Sequence, residues 1–156
     1  MLYIGDLVNT HGIKGEVRII SFFKYKDIVF KPNNILYVKD KKLKIKTYRK
    51  HKQFDMVTFE GFTNINEVLK FKGSKVYIQK NEYNFPGPLN EELYGKKVYN
   101  QGKLLGTLDK IIDNGVQEIL VVKGEKEYLI PFVDEFVKNI GESIQLSLIK
   151  GFIDED

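Results

Sequence analysis

The sequence predicts a mainly β protein: two small β-barrel domains joined by a short linker, each with one short helix. Three observations lead there. Apolar residues recur mostly at period two, in short runs bounded by Gly, Asn and Pro turn signals. The alternation stops decisively once, across residues 81–92, where Pro86-Gly87-Pro88 continues neither strand nor helix. A chain of 156 residues is long enough to bury a core on either side of that break without covalent staples. The expected division is residues 1–80 as a first barrel of six strands, 81–92 as the linker and 93–156 as the second barrel.

Each element has its own reason. Residues 2–8 open with apolar and β-favouring side chains, and 16–21 follow a glycine-bounded turn. Asn33-Asn34 precedes a strand over 35–39, and Leu43, Ile45 and Thr47 then alternate with Lys44, Lys46 and Tyr48. Residues 54–59 form another strand, ended by Gly61. Asn64 with Glu67 reads as a capping box for a helix whose stripe is Ile65, Val68 and Leu69 and whose stop is Gly73. Strand character resumes at 76–78. Beyond the linker, 97–99 and 103–112 flank the turn Asn100-Gln101-Gly102, and 118–123 and 127–130 flank Gly124-Glu125-Lys126. Pro131 suits the first turn of a short helix with Phe132, Val133, Phe136, Val137 and Ile140 on one face. Ile144, Leu146 and Leu148 alternate in a last strand.

Composition removes most enzyme classes. There are no cysteines, hence no disulfides, thiolate metal sites or thiol nucleophiles, and only His11 and His51 as imidazoles. No glycine-rich phosphate loop, HExxH or nucleophile elbow is present, and Asp134-Glu135 and the carboxylates at 154–156 read as solvated. The expectation is a protein with no catalytic residues, no metal and no cofactor. The amino terminus has no basic start, and the apolar runs fall far short of the ~20 residues of a membrane helix, so a cytoplasmic protein without a membrane partner is expected.

Charge is divided unevenly. Residues 1–85 hold 17 Lys/Arg against 8 Asp/Glu, a balance of +9, while 86–156 hold 8 Lys against 13 Asp/Glu, a balance of −5. Only Arg18 and Arg49 are arginines among the 25 basic residues. Lysines are mobile point charges, which favours attraction to a phosphate backbone over base reading. Residues 39–52 concentrate eight basic residues against Asp40 alone: a nucleic-acid footprint, or equally a lysine-coated edge strand resisting aggregation. The glycines of Gly12-Ile13-Lys14-Gly15 allow close approach to a nucleic-acid backbone, or simply turn a hairpin. Tyr128-Leu129-Ile130-Pro131-Phe132-Val133 is core, unless Phe132 is exposed as an interaction anchor.

Two of these segments carry a resemblance. Gly5…Asn9-Thr10-His11-Gly12-Ile13-Lys14-Gly15-Glu16-Val17-Arg18 resembles the opening signature of the bacterial RimM family of ribosome maturation factors. Leu120-Val121-Val122, Leu129-Ile130-Pro131-Phe132-Val133-Asp134-Glu135 and Gly151-Phe152-Ile153-Asp154 resemble that family's second half. The resemblance implies an amino-terminal barrel similar to the RNA-contacting barrel of translation factors, followed by a PRC barrel. It implies a non-enzymatic assembly factor that binds ribosomal protein nineteen of the small subunit, on the immature 30S subunit, and promotes 16S rRNA processing. A monomer is expected. The rRNA-facing candidates are His11, Lys14, Arg18, Lys44, Lys46 and Arg49. The family's paired linker aromatics are absent, leaving Tyr83 and Phe85, with Tyr128 and Phe132, as the candidates facing the ribosomal protein. The alternative is a stand-alone RNA-binding β-barrel protein acting on tRNA or mRNA.

Overall fold

A computed structural model describes residues 1–148. The motif at 151–154 and the acidic tail at 154–156 lie outside the described residues. The chain divides into two compact units, Met1–Pro86 and Gly87–Asp156.

In the first unit, strands β1 (Leu2–His11), β2 (Glu16–Ile20), β3 (Ile35–Val38), β4 (Lys41–His51), β5 (Phe54–Phe59) and β6 (Ser74–Ile78) close a barrel of order β1-β2-β5-β4-β3-β6. The alternation is what closes it. Ile4, Leu7, Val17, Ile19, Leu36, Val38, Leu43, Ile45, Val57, Phe59, Val76 and Ile78 fill the interior, while the residues between them turn outward. Register slips at Tyr3/Gly5 and Leu7/Asn9 in β1, and at Ile45/Thr47 in β4, supply the bends that closure needs. At the first bend only glycine fits: a Cβ on Gly5 would stand 2.6 Å from the Ile20 carbonyl oxygen.

Two short helical turns add buried residues to the barrel's core, Val29 from one and Val68 from the other. α1 (Lys26–Val29) was not legible in the sequence, because a single turn has no periodicity to read. α2 (Ile65–Val68) has the expected capping box, with the Asn64 side chain accepting from the Glu67 N–H and the Glu67 carboxylate accepting from the Asn64 N–H, both at 3.2 Å. Its stripe differs from the expected one. The helix tightens into a 3-10 turn at Leu69–Phe71, which rotates Leu69 out to solvent and brings Phe71 in beside Val68.

In the second unit, α3 (Asn90–Leu93) precedes β7 (Lys97–Asn100), β8 (Lys103–Asp113), β9 (Glu118–Lys123), β10 (Glu127–Pro131), β11 (Val137–Ile140) and β12 (Ile144–Leu146). They form one sheet of order β10-β9-β8-β7-β12-β11, antiparallel except for β12 beside β7. Leu93, Val98, Leu105, Leu108, Leu120, Val122, Ile130, Phe136, Ile144, Leu146 and Leu148 are its core. The helix expected after Pro131 does not form. β10 continues through Pro131, paired with Ile119, and the chain reverses in a turn closed by Phe136 N–H and Val137 N–H to the Val133 carbonyl at 3.0 and 2.9 Å. Pro131 is tolerated because β10 is an edge strand, where a missing N–H costs no ladder bond. The 3.6-like spacing was satisfied by a turn and a strand that share one core. Among the described residues, no helix is long and apolar enough to cross a membrane.

Candidate nucleic-acid interface

The barrel's closure gathers residues that are distant in sequence. Arg18 on β2 and Arg49 on β4 both stand in register with Met56 on the intervening β5. All three point away from the interior, since Val17 and Val57 beside them point in. Met56 is nonetheless fully buried and stands apart from the barrel's core cluster.

Around this pair the charges are assigned. Arg49 donates Nε and Nη2 to the two Glu16 oxygens, each at 2.8 Å, the bidentate geometry a guanidinium favours. Those bonds, opposed by partial burial and aided by the charges of Arg49, His11 and His51, hold Glu16 below the ordinary carboxylate range. Arg18 lies with its guanidinium 5.3 Å from the Phe54 ring centroid. Its Nη2 lies 2.7 Å from His11 Nδ1. The His11 and His51 rings are 6.2 Å apart. The chain's two arginines and two histidines thus share one outer patch.

The other basic candidates take no part in those contacts. Lys14 is exposed in the turn between β1 and β2. In that turn Gly15 has φ +88°, and a Cβ would stand 3.1 Å from the Phe62 carbonyl oxygen, so the motif's second glycine is needed to dock the hairpin against the segment leading to α2. Lys44 and Lys46 project from β4 on either side of the inward Ile45, with Lys44 4.0 Å from Glu60. Sequence reasoning missed His51, Glu16, Phe54 and Met56 as members of the patch. Strand parity alone could have joined His51 to Arg49, two positions apart on β4.

The family model described as the RimM N-terminal domain matches residues 2–83, and that of the RimM PRC barrel domain matches residues 90–148. The chain belongs to the RimM family. It is 37% identical to the ribosome maturation factor RimM of Staphylococcus haemolyticus, covering 97% of this chain and 98% of that one. It is 34% identical to the RimM of an Exiguobacterium species over 99% of this chain and 98% of that one. The crystal structure of a 16S ribosomal RNA processing protein RimM from Pseudomonas aeruginosa aligns over 95% of this chain and 97% of its own, at 24% identity and a TM-score of 0.47.

Within the RimM frame, the four aromatic candidates fall into two places. Tyr83 and Phe85 are packed against the first barrel: Phe85 stacks between Tyr83 (5.5 Å, 10°) and Tyr25 (5.0 Å, 14°), with Phe23 edge-on at 5.5 Å. Burial, then the neighbouring Glu82 and Tyr37, push the Tyr83 phenol up to about 12. Tyr128 and Phe132 are half-buried against the second core. Phe132→Ala is therefore expected to cost about 1–3 kcal/mol, less than the ~3–5 of a fully enclosed Phe, in urea unfolding. Unchanged stability with lost binding of a ribosomal protein would make Phe132 an anchor instead.

Proposed function

We propose that this chain is a non-enzymatic maturation factor of the small ribosomal subunit that works by holding two partners. The first barrel lies against 16S rRNA phosphate through Lys14, Arg18, Lys44, Lys46 and neighbouring lysines. The second unit, with Tyr128 and Phe132 at its half-buried margin, holds ribosomal protein nineteen of the small subunit. The observation that carries this reading is the opposite charge of the two matched family domains: +9 over residues 2–83 and −3 over 90–148. Opposite potentials speed encounter with a polyanion and with a cationic protein, and fix which end meets which. The outward lysines of β4 support backbone contact, which positions without reading sequence. A protein that binds only one arrangement of its partners stabilises that arrangement by mass action, with no bond made or broken.

Sedimentation with immature small subunits tests it, using Lys41→Gln, Lys44→Gln and Lys46→Gln together. Arg49 is left intact because its removal would strand Glu16. If the three lysines neutralise phosphates, the slope of log affinity against log salt falls in magnitude by about 2–3 in the triple variant. An unchanged slope removes β4 from the rRNA face. Equal association of the wild-type chain with free tRNA or mRNA would favour a general RNA-binding role.

A further inference from the structure

The outer wall of the first barrel carries a second arrangement, centred on β6 and β3, which the patch above does not use. Tyr3 on β1 and Tyr37 on β3 are both in register with Tyr77 on β6, and Tyr37 is in turn opposite Lys42 on β4. Closure of the barrel therefore lays Tyr3, Tyr77, Tyr37 and Lys42 in a row across four adjacent strands, roughly 4.8 Å apart. All four face outward, because Ile4, Val76, Ile78, Leu36, Val38 and Leu43 fill the interior. Tyr3 is 47% exposed, Tyr37 and Tyr77 are partly buried, and the Tyr3 and Tyr77 rings meet edge-on at 6.0 Å. Lys75, on the same face as Tyr77, holds its Nζ 5.4 Å from the Tyr3 ring centroid. The acid beside the row, Asp6, accepts the Tyr3 hydroxyl and so orients the ring.

A sheet face that sets accessible rings beside lysines has the two components that hold unpaired nucleic acid: π faces for the bases and mobile cations for the phosphates. A β-branched side chain would coat a strand equally well; only rings add the stacking surface. Duplex RNA keeps its bases stacked inside and can use the lysines alone.

We propose that the outer face of β1, β6 and β3 is a stacking platform for unpaired bases of a single-stranded RNA segment, with Tyr3, Tyr77 and Tyr37 under the bases and Lys42 and Lys75 on the phosphates. This rests on the reading that the first barrel engages rRNA, and it names the form of RNA that this wall takes.

The test is fluorescence anisotropy of the full chain with a labelled single-stranded RNA of about ten nucleotides and with a duplex of the same composition, at one fixed salt. Tyr3→Leu and Tyr77→Leu keep apolar cover on the strands, and Tyr77→Phe keeps the ring; circular dichroism and melting confirm the fold of each. The wild-type chain should bind the single strand more tightly than the duplex. Each Leu variant should lose roughly tenfold for the single strand and nothing for the duplex, while Tyr77→Phe should bind as wild type. Leu variants that keep single-strand affinity, or that lose both RNAs equally, overturn the platform. Leu variants that lose a ribosomal protein and keep RNA assign this face to protein and overturn it too. If the wild-type chain binds neither RNA, the rRNA half of the proposed function falls with the platform; if it binds both alike and the variants change nothing, only the platform falls.

Discussion

Asp55→Ala is expected to destabilise the first barrel by about 3–5 kcal/mol, which is most of what a small domain has. Asp55 is fully buried and carries a charge that two groups satisfy: Lys26 Nζ at 3.0 Å on one oxygen and the Tyr48 hydroxyl at 2.7 Å on the other. Lys26 comes from α1 and also donates to the Ser21 carbonyl at 3.1 Å, so the carboxylate ties that turn to β4 and β5. Burial pulls the Lys26 pKa down, but the hydrogen bond and charge of Asp55 outweigh it and set it above the ordinary lysine range. Removing the carboxylate leaves an ammonium and a phenol without their partner. Because the Lys26 side chain is still 23% exposed, water relieves part of this and the lower end of the range is expected. Urea unfolding followed by circular dichroism reads it. The combination Asp55→Leu with Lys26→Met should recover much of the loss, since a buried pair replaced whole by apolar side chains is often neutral. A loss under about 1 kcal/mol for Asp55→Ala would mean that the pair is effectively solvated.

Gly124→Ala should be comparably severe in the second unit. A Cβ on Gly124 would stand 1.9 Å from the Leu105 carbonyl oxygen, and one on Gly106 would stand 2.3 Å from the Lys123 carbonyl oxygen. Both obstacles are backbone, so no side chain can swing aside; the strand β8 and the turn after β9 must separate. The expected loss is at the large end for point substitutions, about 4 kcal/mol or more. Amide hydrogen exchange locates it: protection should collapse in β8, β9 and β10 and persist in β1–β6, because the two units have separate cores. Protection retained in β8–β10 would show that the close approach is not required for pairing.

How much of this was legible in the chain differs by element. The β4 pattern, with Leu43 and Ile45 in and lysines out, follows from period two alone, because each residue's environment is set by its immediate neighbours. The capping box at Asn64 and Glu67 and the hairpin between β9 and β10 are equally local, and they stand where their residues announced them. Single helical turns escaped, since α1 and α3 span four residues each and show no repeat. The segment after Pro131 misled for a related reason: its spacing fits a helical face, but pairing with Ile119 decided its first residue and the shared core satisfied the rest.

The candidate site divides in the same way. Lys14, Lys44 and Lys46 were readable as exposed cations from turn chemistry and strand parity. The engagement of Arg49 by Glu16 joins positions 33 residues apart and depends on β1, β2, β5 and β4 lying side by side. The tyrosine row joins residues 3, 77 and 37 through the strand that closes the barrel.

Taken alone, the order of residues settled the β class, the break near Pro86-Gly87-Pro88, the charge carried by each half and the family, because these depend on composition and on spacings of a few residues. Which arginine is held by a carboxylate, which methionine lies buried outside a core, and which tyrosines share a face were decided by barrel closure. Those relations belong to strand register, which exists only once the long-range hydrogen bonds have formed.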